Sequence, residues 1–280
     1  MKLVRYGNIG EEKPGLLDAK GVLRDLSNHV EDITPETLAP EIITRLATLD
    51  TSSLREVTGE PRIAAPVSGV GKFICVGLNY ADHARETGKA PPSEPVLFAK
   101  ATSAICGPYD DIEIPRGSDR TDWEVELGIV IGKRAKYVEK SQASTYIAGY
   151  LLVDDVSERR FQSERAGQWT KGKSHDTFGP IGPWLVTPDE IANVQNMDLW
   201  LDVDGKKMQD GNTRTMIFDV PTIIHYISQF MTLEPGDIIA TGTPPGVGLG
   251  MTPPTFLSAG QVVRLGATGL GEQKHRMVQA

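Results

Sequence analysis

Asp122-Trp123-Glu124-Val125-Glu126-Leu127-Gly128-Ile129-Val130-Ile131 is the stretch that decides how this chain folds. From Trp123 to Ile131 it alternates as a β-strand does, so Trp123, Val125, Leu127, Ile129 and Ile131 share one face, and Asp122, Glu124 and Glu126 share the other. Glu124 and Glu126 then point the same way, roughly 7 Å apart, a range at which two carboxylates repel unless a cation lies between them. The plainer alternative is a half-exposed strand with a wet acidic face. Further on, Tyr146 to Val153 is a second apolar segment of strand length, and it ends abruptly in Asp154-Asp155-Val156-Ser157. Acids at the end of a buried strand favour the first reading. An all-oxygen ligand set suits Mg²⁺, Mn²⁺ or Ca²⁺, whereas zinc takes His or Cys, and Mg²⁺ (or Mn²⁺) is the expected ion.

The chain around this stretch is 280 residues long, and its 37 acidic residues against 29 basic ones are spread without runs. That argues against nucleic acid or an anionic membrane surface as a partner. No segment approaches the roughly 20 apolar residues of a membrane span, and Met1-Lys2-Leu3-Val4-Arg5-Tyr6-Gly7 lacks the apolar core of a signal peptide. A cytoplasmic enzyme acting on small molecules is expected. Glycine and proline, 29 and 19 residues, favour turns and strands over a helical bundle. Cys75 and Cys106 sit in apolar company and read as small buried hydrophobes rather than as a disulfide or a catalytic thiol.

Strand-like pieces at Lys2–Tyr6 and Gly15–Asp18, a turn at Asp18-Ala19-Lys20-Gly21 and a helix over Pro35–Thr48 outline a small N-terminal α+β domain, residues 1–65. Gly59-Glu60-Pro61-Arg62-Ile63-Ala64-Ala65-Pro66 resists regular structure and reads as a linker into a catalytic domain, residues 66–280. There, strands are expected at Phe73–Leu78, Trp123–Ile131, Tyr146–Val153, Leu199–Val203, Asp237–Thr241 and Val262–Leu265. Asp204-Gly205 is a hairpin signal, and Leu233-Glu234-Pro235-Gly236-Asp237 is a turn feeding a strand. Helices are fewer, at Val220–Met231 and Ala81–Thr87. The fold class is therefore α+β, mainly β.

His83 and Glu86 lie three apart, which on a short helix puts both on one face. A carboxylate beside an imidazole orients it as a water-activating base requires, although the same spacing also describes a surface pair. Gly77 and Gly88 leave room for this segment to move as a lid. Lys173, in the turn-rich run Lys171-Gly172-Lys173-Ser174-His175-Asp176, is either a solvated loop lysine or a cation able to hold a substrate carboxylate or an enolate oxygen. Thr241-Gly242-Thr243-Pro244-Pro245-Gly246-Val247-Gly248 offers backbone N–H groups and two hydroxyls that can cradle a carboxylate, or it is a tight structural turn. His225 reads as packed, His29 and His275 as solvated, and His175 as undecided.

Together these stretches resemble the fumarylacetoacetate hydrolase family over about residues 70 to 270. The likeness rests on Val76-Gly77-Leu78-Asn79-Tyr80 with His83 and Glu86, Asp122 to Leu127, Asp155-Val156-Ser157, Lys173-Ser174 with Asp176-Thr177-Phe178, Gln209-Asp210-Gly211-Asn212-Thr213, and Thr241 to Gly248. It implies a mixed β-roll core, a divalent metal on Glu124, Glu126 and Asp155, and a homodimer. It also implies a water-activating dyad of His83 and Glu86, an active-site Lys173, and substrate contacts at Tyr80, Gln162, Thr241, Gly242 and Thr243. The chain departs from many members at Asp154, where they carry Asn, and at His175, where they carry Phe. Its opening Met1–Gly7 and the run Gly179–Thr187 resemble bacterial members known as 2,4-diketo-3-deoxy-sugar-acid hydrolases or as ureidoglycolate lyases. The expected reaction is metal-dependent cleavage of the C3–C4 bond of a 2,4-dioxo acid to pyruvate and a short hydroxy acid. The alternatives are ureidoglycolate cleavage to glyoxylate and urea, oxaloacetate decarboxylation, and metal binding without turnover.

Overall fold

In a computed structural model, residues 1–86, 88 and 90–280 are described. Thr87, at the end of the helix expected over Ala81–Thr87, lies outside the described residues. Val125–Ile131 does form the central strand, buried along its whole length. Val125, Leu127, Ile129 and Ile131 enter one apolar cluster with Leu199, Leu265 and Ile223, while Val130 enters a second with Leu151, Val153 and Leu3. Each fully buried aliphatic side chain of this kind contributes roughly 1.5–3 kcal/mol. The strand is shorter than the alternation suggested. Regular pairing stops at Trp123 and Glu124 and resumes in the two-residue strand Thr121–Asp122, which pairs with Ser157–Glu158.

Around this strand the main sheet has 11 strands among the described residues. Its path runs Leu23–Asp25, Lys13–Leu17, Lys2–Tyr6, Gly179–Val186, Ile147–Asp154, Val125–Ile131, Ile238–Ala240, Phe73–Gly77 and Val96–Lys100; off it, Ile63–Ala64, inside the expected linker, pairs with Lys2–Tyr6, and Ile105–Cys106 with Gly179–Val186. Ile238–Ala240 and Phe73–Gly77 are parallel, whereas the neighbours of Val125–Ile131 are antiparallel, so the sheet is mixed. A second sheet of five strands, Lys206–Asn212, Asp198–Val203, Val262–Ala267, Gly271–Gln279 and Ile112–Ile114, packs over the larger cluster. The N-terminal strands are part of the main sheet, since Lys2 and Leu3 pair with Val186 and Leu185 and Leu3 and Leu16 share a cluster with Phe73 and Ile181.

Local chemistry sets the element ends. The helix expected over Pro35–Thr48 starts only at Pro40, because extended Ala39 precedes a proline whose fixed φ suits a first helical turn. The helix Val220–Ser228 is capped by Asp219, which accepts from Thr222 N at 2.8 Å, and it stops short of the expected Met231. Asp204 and Gly205, with φ of 51° and 77°, make the two-residue turn that joins Asp198–Val203 to Lys206–Asn212. His275 is not solvated as expected. On Gly271–Gln279 the inward positions fall on Gln273, His275 and Met277, and His275 is wholly buried against the Asp110 carbonyl and the Gln273 side chain. His29 is exposed, and His225 packs in its helix against the Val138 carbonyl. Cys75 is buried, Cys106 half-buried, and both are free thiols.

Candidate active site

The three carboxylates come together because of strand register. Val125 stands opposite Asp154 in the antiparallel pair, so the chain just past each strand end lies side by side, with Asp155 N donating to Glu124 O at 2.9 Å. One oxygen each from Glu124, Glu126 and Asp155 lies within 4.8 Å of the others, and all three residues are buried. A wet acidic face is thereby ruled out. Glu126 accepts from Gly242 N at 2.7 Å. Gly242 has φ +98°, and a Cβ there would approach the Asn79 Cβ to 2.7 Å, so the N–H that holds Glu126 belongs to a position only glycine fills comfortably.

Three buried cations converge on the same carboxylates. Lys173 Nζ donates to Glu124 Oε2 at 2.8 Å and to Asp155 Oδ2 at 2.6 Å. Arg159 pairs its Nε with Asp122 Oδ2 at 2.8 Å and brings another nitrogen 2.7 Å from Glu124 Oε1. Lys100 Nζ reaches Asp155 Oδ1 at 2.6 Å. Burial would by itself raise Glu124, but Lys173, Arg159 and His83 reverse this and hold it far below the ordinary carboxylate range. Glu126 goes the other way, pushed well up by burial and then by Asp155 and Glu124 beside it. A divalent ion would relieve the crowding of charge on these three carboxylates, and the all-oxygen donor set fits Mg²⁺ or Mn²⁺. Beside them, Asp154 is raised to about 7 by burial, and accepts from Glu124 N at 3.0 Å.

His83 and Glu86 occupy one face of the short helix Ala81–Glu86, with His83 Nδ1 2.9 Å from Glu86 Oε1. His83 is buried, so the pair is not a surface pair. Glu86 also accepts from Gly246 N at 2.9 Å, which fastens the helix to the loop after Thr241. Asp122 grips the next part of that loop, accepting from Gly248 N at 2.7 Å and Leu249 N at 2.9 Å.

His83, the three carboxylates, Lys173, Gln162, Gly242 and Thr243 line one cavity of about 100 Å³. Leu78, with φ 57°, and Leu249 contribute to its wall, as do Phe98 and Trp169, whose ring centroids are 5.2 Å apart. Lys173 Nζ lies 4.9 Å from the Phe98 centroid. Thr241 does not line this cavity, and its hydroxyl bonds the Leu127 carbonyl at 2.9 Å. Tyr80 does not line it either. Asn79 ties the segment to Phe218 and Thr241 through its side chain, and Tyr80 is wholly buried in the apolar cluster. Arg159, Lys100 and the gripping role of Asp122 were not foreseen. The available signals were a basic residue directly after Ser157-Glu158 and a lysine closing the strand Val96–Lys100.

A model of the fumarylacetoacetate hydrolase C-terminal domain matches residues 72–278. Fold, site and match agree, and the chain belongs to the fumarylacetoacetate hydrolase family. It is 61% identical over 274 residues, 98% of this chain and 97% of the relative, to a Burkholderia cenocepacia protein provisionally named a hydrolase. A fumarylacetoacetate hydrolase from the psychrophile Exiguobacterium antarcticum is similar over 100% of both chains, with TM-score 0.88 and 36% identity. Maleylpyruvate hydrolase from Sphingobium sp. SYK-6, in complex with manganese(II) and pyruvate, is similar over 100% of both chains, with TM-score 0.84 and 27% identity.

Proposed function

We propose that this protein is a Mg²⁺- or Mn²⁺-dependent hydrolase that cleaves the C3–C4 bond of a 2,4-dioxo acid, releasing pyruvate and a second carboxylic acid. The observation that carries this reading is the meeting, in one small cavity, of the Glu124, Glu126 and Asp155 carboxylates, the Lys173 side chain and His83, which Glu86 backs. Glu124, Glu126 and Asp155 would hold the ion, which when bound supplies Lewis acidity toward the oxo-acid head.

The residues of the chain supply the rest. His83 takes a proton from water through the nitrogen that does not face Glu86, and Glu86, fixed by Gly246 N–H, keeps the ring oriented. The hydroxide adds to the C4 carbonyl. When the tetrahedral centre collapses, the C3–C4 electron pair moves to C3 and is delocalised as the enolate of pyruvate, while C4 leaves as a carboxylic acid. The enolate then takes at C3 the proton that His83 removed from water, which returns the imidazole to its starting form. Burial would lower Lys173, but Asp155 and Glu124 outweigh it and hold the ammonium protonated, above the ordinary lysine range. It therefore acts as a fixed positive donor to developing oxygen charge and not as a free-amine nucleophile. Gln162 and Thr243, with the Gly242 backbone, are the substrate contacts of this proposal; a 2,4-diketo-3-deoxy sugar acid is the substrate that the sequence likeness favours. A homodimer in the cytoplasm completes the reading. Among the described residues no helix is long and apolar enough to cross a membrane.

The test is product analysis of metal-loaded protein given such a 2,4-dioxo acid and, separately, ureidoglycolate. Pyruvate that vanishes on chelation supports the hydrolase. Urea from the second substrate, with no pyruvate from the first, replaces it with the lyase.

A further inference from the structure

Lys100 closes the edge strand Val96–Lys100, and its side chain is completely buried. Its Nζ donates to Asp155 Oδ1 at 2.6 Å and to the Val156 carbonyl at 3.0 Å. Lys173 holds the other oxygen of the same carboxylate at 2.6 Å. The two lysines differ in one respect: Lys173 lines the cavity and Lys100 does not. Lys100 thus touches Asp155 from behind and has no route to a substrate of its own.

A buried ammonium costs much to desolvate, and a structural role would be served by an apolar side chain at least as well. Its effect on the cavity is one of charge. The connected cluster contains four carboxylates, Asp122, Glu124, Glu126 and Asp155, and three cations, Lys100, Arg159 and Lys173. Lys100 supplies one of these positive charges, so without it the ion-loaded cluster is one unit less positive toward a substrate carboxylate.

We propose that Lys100 is a positioning residue that acts through Asp155: it tempers the cluster's hold on the divalent ion and makes the loaded site more positive toward the anionic substrate. The inference rests on the metal-site reading above. Repulsion between an ammonium and a dication separated by one carboxylate outweighs the single hydrogen bond that Lys100 gives to Asp155. Losing Lys100 therefore tightens the ion and loosens the anion, a pair of opposite shifts that a loosened or damaged site does not produce.

The experiment titrates Mn²⁺ into wild-type and Lys100→Met protein, then titrates oxalate, a planar mimic of a 2-oxo-acid enolate, into the Mn²⁺-loaded forms. Expected are a Mn²⁺ Kd at least tenfold lower in the variant and an oxalate Kd at least tenfold higher. Thermal melts confirm that the variant is folded; if it is not, Lys100→Gln is read by the same two titrations. Values that stay put, or that move in the same direction, overturn the role of Lys100 and leave the metal site standing. A wild-type protein that binds no Mn²⁺ overturns the metal-site reading and this inference with it.

Discussion

The two walls of the cavity are built differently. On one, Glu124, Glu126 and Asp155 sit at the ends of long paired strands, and each is held by groups from other elements: Lys173 and Arg159 on Glu124, Gly242 on Glu126, Lys100 and Lys173 on Asp155. On the other, His83 and Glu86 stand on a helix of six residues, joined by their own i,i+3 contact and by the Gly246 N–H. The first wall is an over-determined electrostatic frame. The second joins an i,i+3 pair to a main-chain N–H from a loop distant in sequence. On the proposed mechanism, the groups that would present fixed charge are locked from several directions, while the group that would handle a proton stands on a single short helix.

The strongest way to break this comparison is to remove a member of the locked wall. Glu124→Ala should abolish detectable metal-dependent turnover and weaken Mn²⁺ binding by about 10²-fold or more, measured by titration and steady-state assay, because it also leaves Arg159 and Lys173 facing a missing charge. Next in size is His83→Ala. It should lower kcat by about 10² to 10⁴-fold while the Mn²⁺ Kd stays within a few-fold, separating proton handling from ion holding. Smaller again is Glu86→Gln, which keeps the shape but weakens the orientation of the imidazole; a kcat loss on the order of ten- to a hundredfold is expected, with Mn²⁺ affinity unmoved. If Glu86→Gln instead weakens Mn²⁺ as much as Glu124→Ala does, the two walls are one cooperative unit and the comparison fails.

The smallest effect lies away from the cavity, where Arg5 Nε meets Asp32 Oδ1 at 2.7 Å in a partly exposed pair. Burial raises Asp32, but Arg5, the Ser68 hydroxyl and the Ile33 N–H outweigh it and leave its carboxyl lowered. A lowered carboxyl stabilises the fold above its unfolded pKa of about 3.9, and that contribution is lost as pH falls below this toward the depressed folded value. Urea melts should thus show a wild-type advantage over Asp32→Asn of no more than about 1 kcal/mol at pH 6, shrinking as the pH drops through 4 toward 3.

Much of the locked wall was readable in the chain itself. Alternation placed Glu124 and Glu126 on one face, and the abrupt end of an apolar strand drew attention to Asp155. The spacing of His83 and Glu86 leaves a surface pair open, and the resemblance supplies the dyad; what excludes the surface pair is the burial of His83. Lys100 escaped because no strand is expected over Val96–Lys100, and nothing local says that its ammonium turns inward to Asp155. Arg159 escaped for the same reason, since its partners Asp122 and Glu124 lie far away in sequence. Tyr80 and Thr241 show the converse failure. Both lie beside residues that line the cavity, yet the Asn79 bonds send Tyr80 into the core, and the Thr241 hydroxyl turns to the Leu127 carbonyl. His275 followed the strand period correctly; only its polarity suggested solvent.

Asp122 holds the loop at Gly248 and Leu249 by their main-chain N–H groups, and Leu249 keeps 39% of its surface exposed at the cavity wall. An anchor of that kind is blind to what the residue at 249 carries beyond its Cα. Position 249 can therefore drift in side-chain identity over evolutionary time without letting go of the inner charges, whereas Gly248 cannot, since a Cβ there would run into the Thr255 carbonyl oxygen.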